Sequence, residues 1–98
     1  MSKQQYRSEM GIIADILGVT MDGGIQGVIV SAISRRANLS HYAVIEKCQK
    51  LIDFGLMKSV SDKRNRTFII TEKGIQFFYE IQKFMAIAQG LKYNIKST

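Results

Sequence analysis

The stretch SRRANLSHYAVIEKCQKLIDFGLM, Ser34 to Met57, leaves the chain few ways to fold. Two arginines precede a short polar turn, ANLS, then an amphipathic segment runs to a closing glycine. Ser40 can cap a helix by accepting a hydrogen bond from one of its free backbone N–H groups. Beyond it Val44, Ile45, Cys48, Leu51 and Ile52 share one helical face, and Tyr42, Ala43, Glu46, Lys47, Gln49 and Lys50 fall mostly on the other. Gly55 provides the left-handed residue on which such a helix stops. A helix capped at one end, stopped at the other and two-sided between must lie on a core with one face outward.

The flanking segments supply that core. From Arg7 to Val19, Met10, Ile12, Ile13, Ile16 and Leu17 recur at helical spacing, and VTMDGG ends the run with two glycines that relax the backbone. A second helix is expected over Ile25–Arg35, with Ile25, Val28, Ile29 and Ile33 on its buried side. GVIV alone would also suit a strand, but its alternation is not sustained. After Gly55 come two short extended runs, LMKSV (Leu56–Val60) and TFIIT (Thr67–Thr71), joined by the polar, basic SDKRNR. They predict a two-stranded hairpin. A last helix opens near Thr71 or Glu72 and continues to about Gln89.

On that last helix Phe77, Phe78, Ile81, Phe84, Met85, Ala88 and Leu91 span close to half the circumference, with Tyr79 and Ile87 adding apolar surface outside the arc. So wide an arc exceeds what a small domain covers, so a second subunit is expected on it. The need is real for 98 residues, because a chain this short buries only roughly 60–65% of its unfolded surface. The expectation is an α+β domain over 1–71 and a helix over 72–98 that packs on it and pairs subunits, ending in a short tail. No internal repeat interrupts this order, and the absence of proline leaves no forced helix break.

The positive charge is local. Of fourteen basic residues eight lie between Arg35 and Arg66, against three acids, so this window carries +5 of the net +6. Helix, turn and hairpin are the elements that a winged helix-turn-helix presents to duplex DNA. In that arrangement Tyr42, Ala43, Glu46, Lys47 or Lys50 would meet base edges in the major groove. Arg35 and Arg36, beside the turn, suit phosphate contacts, and Ser40 and His41 lie at the same helix start. Lys63, Arg64 and Arg66 would track the backbone or enter the minor groove. An exposed lysine-rich face and a charged loop are also ordinary solvated surface, so a protein-interaction module and a non-specific architectural DNA binder remain as alternatives.

The residues exclude other classes more firmly. His41 and Cys48, the only histidine and the only cysteine, are two helical turns apart, too few to complete a zinc site and too distant for a nucleophile pair. Cys48 reads as a small core residue, and a lone cysteine allows no intramolecular disulfide, which fits a reducing compartment. The glycines lack the strand–GxGxxG–helix context of a nucleotide site. No enzyme, cofactor or obligate small-molecule ligand is expected. MSKQQYRSEM is not followed by the apolar core of a signal peptide, and no apolar run approaches the ~20 residues of a membrane span, so a soluble, cytoplasmic protein is expected.

SRRANLS…CQKLIDFGLM…FIITEKGIQFF resembles the small archaeal winged helix-turn-helix DNA-binding proteins, a group with homologues in crenarchaeal viruses and plasmids. The resemblance covers Tyr6 to about Tyr79. Arg7, Ser8 and Ile12–Leu17 match the family's first helix, and Ala37, Leu39 and Ser40 its turn. Leu51, Gly55 and Leu56 match L…GL, while Thr71, Glu72, Lys73, Gly74 and Phe77 match TekG..f. It implies a homodimeric transcriptional regulator, in host cytoplasm if viral, whose third helix reads DNA, whose hairpin is the wing and whose last helix pairs subunits. Cys48 departs from the larger residue the family often carries nearby, and the basic wing is longer than in many relatives.

Overall fold

A short edge strand, absent from the expected element order, organises the middle of the molecule. The computed structural model describes residues 7–97, and side chains for residues 7–91. Tyr6, where the resemblance begins, the stretch before it and Thr98 lie outside the described residues. The elements are α1 (Glu9–Gly23), a 3₁₀ turn (Gly24–Gln26), β1 (Val28–Ile29), α2 (Val30–Ala37), α3 (His41–Asp53), β2 (Met57–Ser61), β3 (Arg66–Ile70) and α4 (Glu72–Ser97).

The helix expected over Ile25–Arg35 therefore begins only at Val30. Val28 and Ile29 pair antiparallel with Phe68 and Thr67, making a three-stranded sheet of order β1-β3-β2 rather than an isolated hairpin. The glycines explain the change. Gly27 has φ 82°, a conformation L side chains rarely adopt, and a Cβ there would lie 2.9 Å from that of Thr67. At Gly23 a Cβ would sit 2.3 Å from the Val28 side chain. The chain can thus fold back tightly and add its β-branched pair to the free edge of β3. Val28 and Ile33 are buried as expected, but Ile25 is 91% exposed and Ile29 lies at the surface.

α1 also outruns its expected end at Val19 by four residues. Ser8 caps it, accepting from the Gly11 N–H at 2.9 Å. The hydroxyl of Thr20, fully buried, donates to the carbonyls of Ile16 and Leu17, so the helix continues through a polar residue without an unmet bond. Ile16 and Leu17 enter the core, as do Ala14 and Val19; Ile12 and Ile13 are half-buried, and Met10 is exposed.

The core brings Ile16, Leu17, Ile33, Val44, Cys48 and Phe68 together, with Phe78 and Ile81 of α4 closing it. α4 runs beyond the expected end near Gln89 to Ser97. After Ile81 every described side chain on it, through Leu91, is exposed. The junction of α3, β2 and α4 is tight. Thr71 caps α4 through Gly74 N–H (3.0 Å) and donates to the Gly55 carbonyl (2.7 Å), while Lys73 Nζ reaches the Phe54 carbonyl (2.9 Å). Gly74 packs directly on the Leu56 carbonyl, leaving no room for a Cβ. TEKG is therefore a clamp that satisfies carbonyls at the end of α3 while starting α4.

Candidate nucleic-acid interface

Both ends of α3 are fixed by local chemistry. Asn38 takes the left-handed conformation (φ 57°), which asparagine tolerates better than most residues, and Leu39 N–H bonds Ser34 O at 2.9 Å. The Ser34 hydroxyl donates to Leu39 O, closing the turn a second time. Ser40 then accepts from Ala43 N–H at 3.0 Å, as its position predicted. At the other end Leu56 N–H reaches Leu51 O and Gly55 N–H reaches Ile52 O, each at 2.9 Å, with Gly55 at φ 76°. These are the paired bonds of a Schellman stop, backed by the buried Leu51 and Leu56.

Between these stops the helix has one buried and two outer sides. Val44, Cys48 and Leu51 are buried as expected; Ile52 is half-buried, and Ile45, expected inside, is 45% exposed. The outward stripe is Tyr42, Ile45, Glu46 and Gln49, and Gln49 donates to Asp53 at 3.1 Å. Ala43 is half-buried. Lys47 turns away from the stripe, its Nζ holding both carboxylate oxygens of Glu9 on α1 at 2.8 and 2.9 Å. Lys50 also lies on that flank, over a groove shared with Ile13 and Phe77. Two residues expected to meet bases thus face α1 and α4, and Ile45 and Gln49 stand where they were expected. A period of three and four from Tyr42 points to them, but the apolar character of Ile45 hid it.

The acids of α1 account for two further bases. Arg36 pairs with Asp22 at 2.7 Å, and Arg7 pairs with Asp15 at 2.6 Å while donating to Asn38 O. Exposed pairs like Arg36–Asp22 contribute under about 1 kcal/mol, yet they decide where a guanidinium rests. Arg35 is exposed and makes no ion pair among the described residues, and His41 is exposed on the first turn of α3.

In the wing, β2 and β3 pair from Met57↔Ile70 to Ser61↔Arg66, within a residue of the expected strands. Asp62 organises the tip, its carboxylate accepting from Arg64 N–H (3.0 Å) and Asn65 N–H (2.9 Å). These bonds hold its carboxyl below the usual value. Lys63 and Arg64 are exposed at the tip, and Lys58 on β2 adds a cation that only the charge window hinted at. Arg66 instead lies back on the sheet, bonded to Ser59 Oγ at 2.8 Å with its guanidinium 4.9 Å from the Phe68 ring centroid.

Cys48 is fully buried, and burial pushes its thiol up to about 12, with Arg66 opposing the shift only in part. That is the chemistry of a core residue. Among the described residues no cluster of His, Cys, Asp or Glu could hold a metal, and no helix is long and apolar enough to cross a membrane.

The residues expected to pair subunits divide. Phe78 and Ile81 are buried in their own chain's core, Phe78 so near α1 that a Cβ added at Gly18 would lie 3.4 Å from its ring, so neither is free for a partner. The expectation overestimated the free arc because α1 covers this part of it. Phe77 lines the groove, and Phe84, Met85, Ala88 and Leu91 are exposed, joined by Tyr79 and Ile87.

A helical turn that docks a fixed third helix, followed by a β-hairpin wing, defines the winged helix-turn-helix class. The chain belongs to a winged helix-turn-helix family, whose model matches residues 6–89. The fold is similar to that of Sso10a-2, a DNA-binding protein from Sulfolobus solfataricus, at 20% identity over 93% of this chain and 92% of that one, with a TM-score of 0.82. It is also similar to a MarR-family transcriptional regulator from Rhodococcus sp. RHA1 (18% identity, TM-score 0.74), covering 84% of this chain and 59% of the regulator. BldR, a transcriptional regulator from Sulfolobus solfataricus, matches at 18% identity over 89% of this chain and 73% of its own, TM-score 0.68. A search of curated proteins found no significant match.

Proposed function

We propose that this protein is a dimeric, cytoplasmic DNA-binding regulator that docks α3 in the major groove of duplex DNA. The observation that carries the reading is the outward stripe Tyr42, Ile45, Glu46 and Gln49 on a helix fixed at both ends. A rigid helix can hold side chains in register with base edges, and this stripe offers a methyl-contacting surface, an amide and a carboxylate acceptor. Arg35 and His41 then flank it as phosphate contacts, and Lys58, Lys63 and Arg64 carry the wing to the backbone or minor groove. Arg36 joins them by exchanging Asp22 for a phosphate. Ala43, Lys47 and Lys50 support the helix more than they read bases.

Residues 84–91 of α4 pair the subunits, placing two α3 helices on half-sites about one turn, roughly 34 Å, apart. The DNA-binding relative and the two regulators support this reading by the company they provide. A non-specific architectural role is the second reading, favoured by the absence of a free cation on the stripe itself. Selecting duplexes from a random pool, with binding followed over a salt series, decides between them. Enrichment of a two-fold symmetric site is expected; an unenriched pool with undiminished affinity would establish the architectural role. Sedimentation at varied concentration checks the dimer, and a monomer throughout would refute it.

A further inference from the structure

One concavity lies away from the outward stripe, between α1, the end of α3 and the first turns of α4. Its volume is about 380 Å³, within the range of roughly 300–1,000 Å³ typical of small-molecule sites. Ile13, Leu51, Leu56 and Phe77 form an apolar floor, and Phe54, 69% exposed, stands over it as a wall. The rim is cationic. Lys50 and Lys73 border the opening beside the Lys47–Glu9 pair, leaving an excess of two positive charges over that one carboxylate. Lys73 is positioned by the Phe54 carbonyl, so its ammonium is held at the mouth with donors to spare.

We infer that this groove binds a small amphipathic carboxylate: an apolar body of one or two rings on the floor, its carboxylate between Lys50 and Lys73. The charge balance selects this occupant. A neutral or cationic apolar molecule would leave the rim uncompensated, whereas a carboxylate gains charge-assisted hydrogen bonds beside a surface that excludes water. A second copy of the chain fits less well, because the run of exposed apolar side chains that continues along α4 past the buried Ile81 starts at Phe84, about two turns beyond the Phe77 that lines the groove. The inference concerns the free protein and stands whether or not the chain binds DNA as proposed.

Titration of 2-naphthoate into methyl-labelled protein, read by NMR, tests it. Saturable shifts are expected at the methyls of Ile13, Leu51 and Leu56, with 2-naphthamide binding at least about tenfold more weakly and 2-naphthylmethylamine not at all, since one lost charged hydrogen bond costs about a factor of ten. Lys50→Gln and Phe54→Ser, both at exposed positions, should each weaken naphthoate about tenfold while the rest of the spectrum keeps the folded pattern. Equal shifts from the amine and the carboxylate would overturn the inference, as would the absence of saturation at millimolar naphthoate. So would groove shifts that follow protein concentration and resist naphthoate, for they would assign the groove to a second copy.

Discussion

α3 and α4 are both amphipathic helices with apolar side chains to spare, and the protein treats them in opposite ways. α3 is stopped by hydrogen bonds at each end, and its exposed side mixes Tyr42 and Ile45 with Glu46 and Gln49. α4 is anchored only by its first three turns, then carries Phe84, Ile87 and Leu91 into solvent at 59%, 63% and 58% exposure. A mixed face on a rigid element suits a polar partner such as a base edge, where each unpaired group is penalised. A nearly unbroken apolar face on a projecting element suits another apolar surface. Under the proposed function, reading and assembly would fall to separate elements.

Glycines probe this difference most sharply. A Cβ at Gly74 would lie 2.0 Å from the Leu56 carbonyl oxygen, and only backbone movement can relieve it. Gly74→Ala should therefore prise α4 from the end of α3 and cost about 3 kcal/mol, overwhelming the gain in helix propensity. At Gly90, on the projecting part of the same helix, a Cβ would meet nothing within 4 Å. Gly90→Ala should stabilise by up to about 1 kcal/mol where α4 is helical. Urea unfolding of both variants checks the pair; equal effects would mean that α4 is anchored evenly along its length.

Phenylalanines on α4 sharpen it next. Phe78→Ala empties a core position and should cost about 3 kcal/mol in unfolding experiments. Phe84→Ala should leave the unfolding of the isolated subunit within about 0.5 kcal/mol but weaken self-association measured by sedimentation. If Phe84→Ala destabilises the subunit as much as Phe78→Ala, the projecting arm packs on its own domain and the contrast between the helices fails.

The α3 side of the contrast was half legible in the sequence. The turn, Ser40, Gly55 and the wing strands follow from local chemistry, because caps, left-handed residues and β-branched runs act within a few positions. The partners of Lys47 and Arg36 do not, since Glu9 is 38 residues away and Asp22 is 14. Long-range ion pairs leave no periodic trace. β1 was missed for a related reason. Two residues are too few for a strand pattern, and only the bare edge of β3 makes Val28 and Ile29 one. Conversely Ile45, 45% exposed, breaks the rule that apolar residues on a helix go inside, as the proposed base-facing role would require.

Base reading separates from backbone contact in binding assays on a cognate and a scrambled duplex. Gln49→Ala or Ile45→Ala should lose about 1–3 kcal/mol on the cognate site and little on the other. Arg64→Ala at the wing tip should weaken both equally and lower the salt slope by about one unit. Lys47→Ala, held by Glu9, should change preference least. A Lys47 variant with the largest loss of preference would return the reading face to that flank of the helix.

The smallest effect belongs to the wing turn, and pH exposes it. Asp62 is lowered from its ordinary carboxylate value by the Asn65 and Arg64 N–H groups that it accepts. A depressed carboxylate contributes order that is fully present above its unfolded value of about 3.9 and is lost as pH falls through the lower folded one. Amide exchange at Arg64 and Asn65 should therefore lose protection only in that acid window, with α3 unaffected. Asp62→Asn should remove the pH dependence while keeping an acceptor oxygen for the turn. Loss of protection in α3 over the same window would mean that the wing and α3 order together, so that the wing tip is not the independent, lightly held element its exposure and local bonding make it.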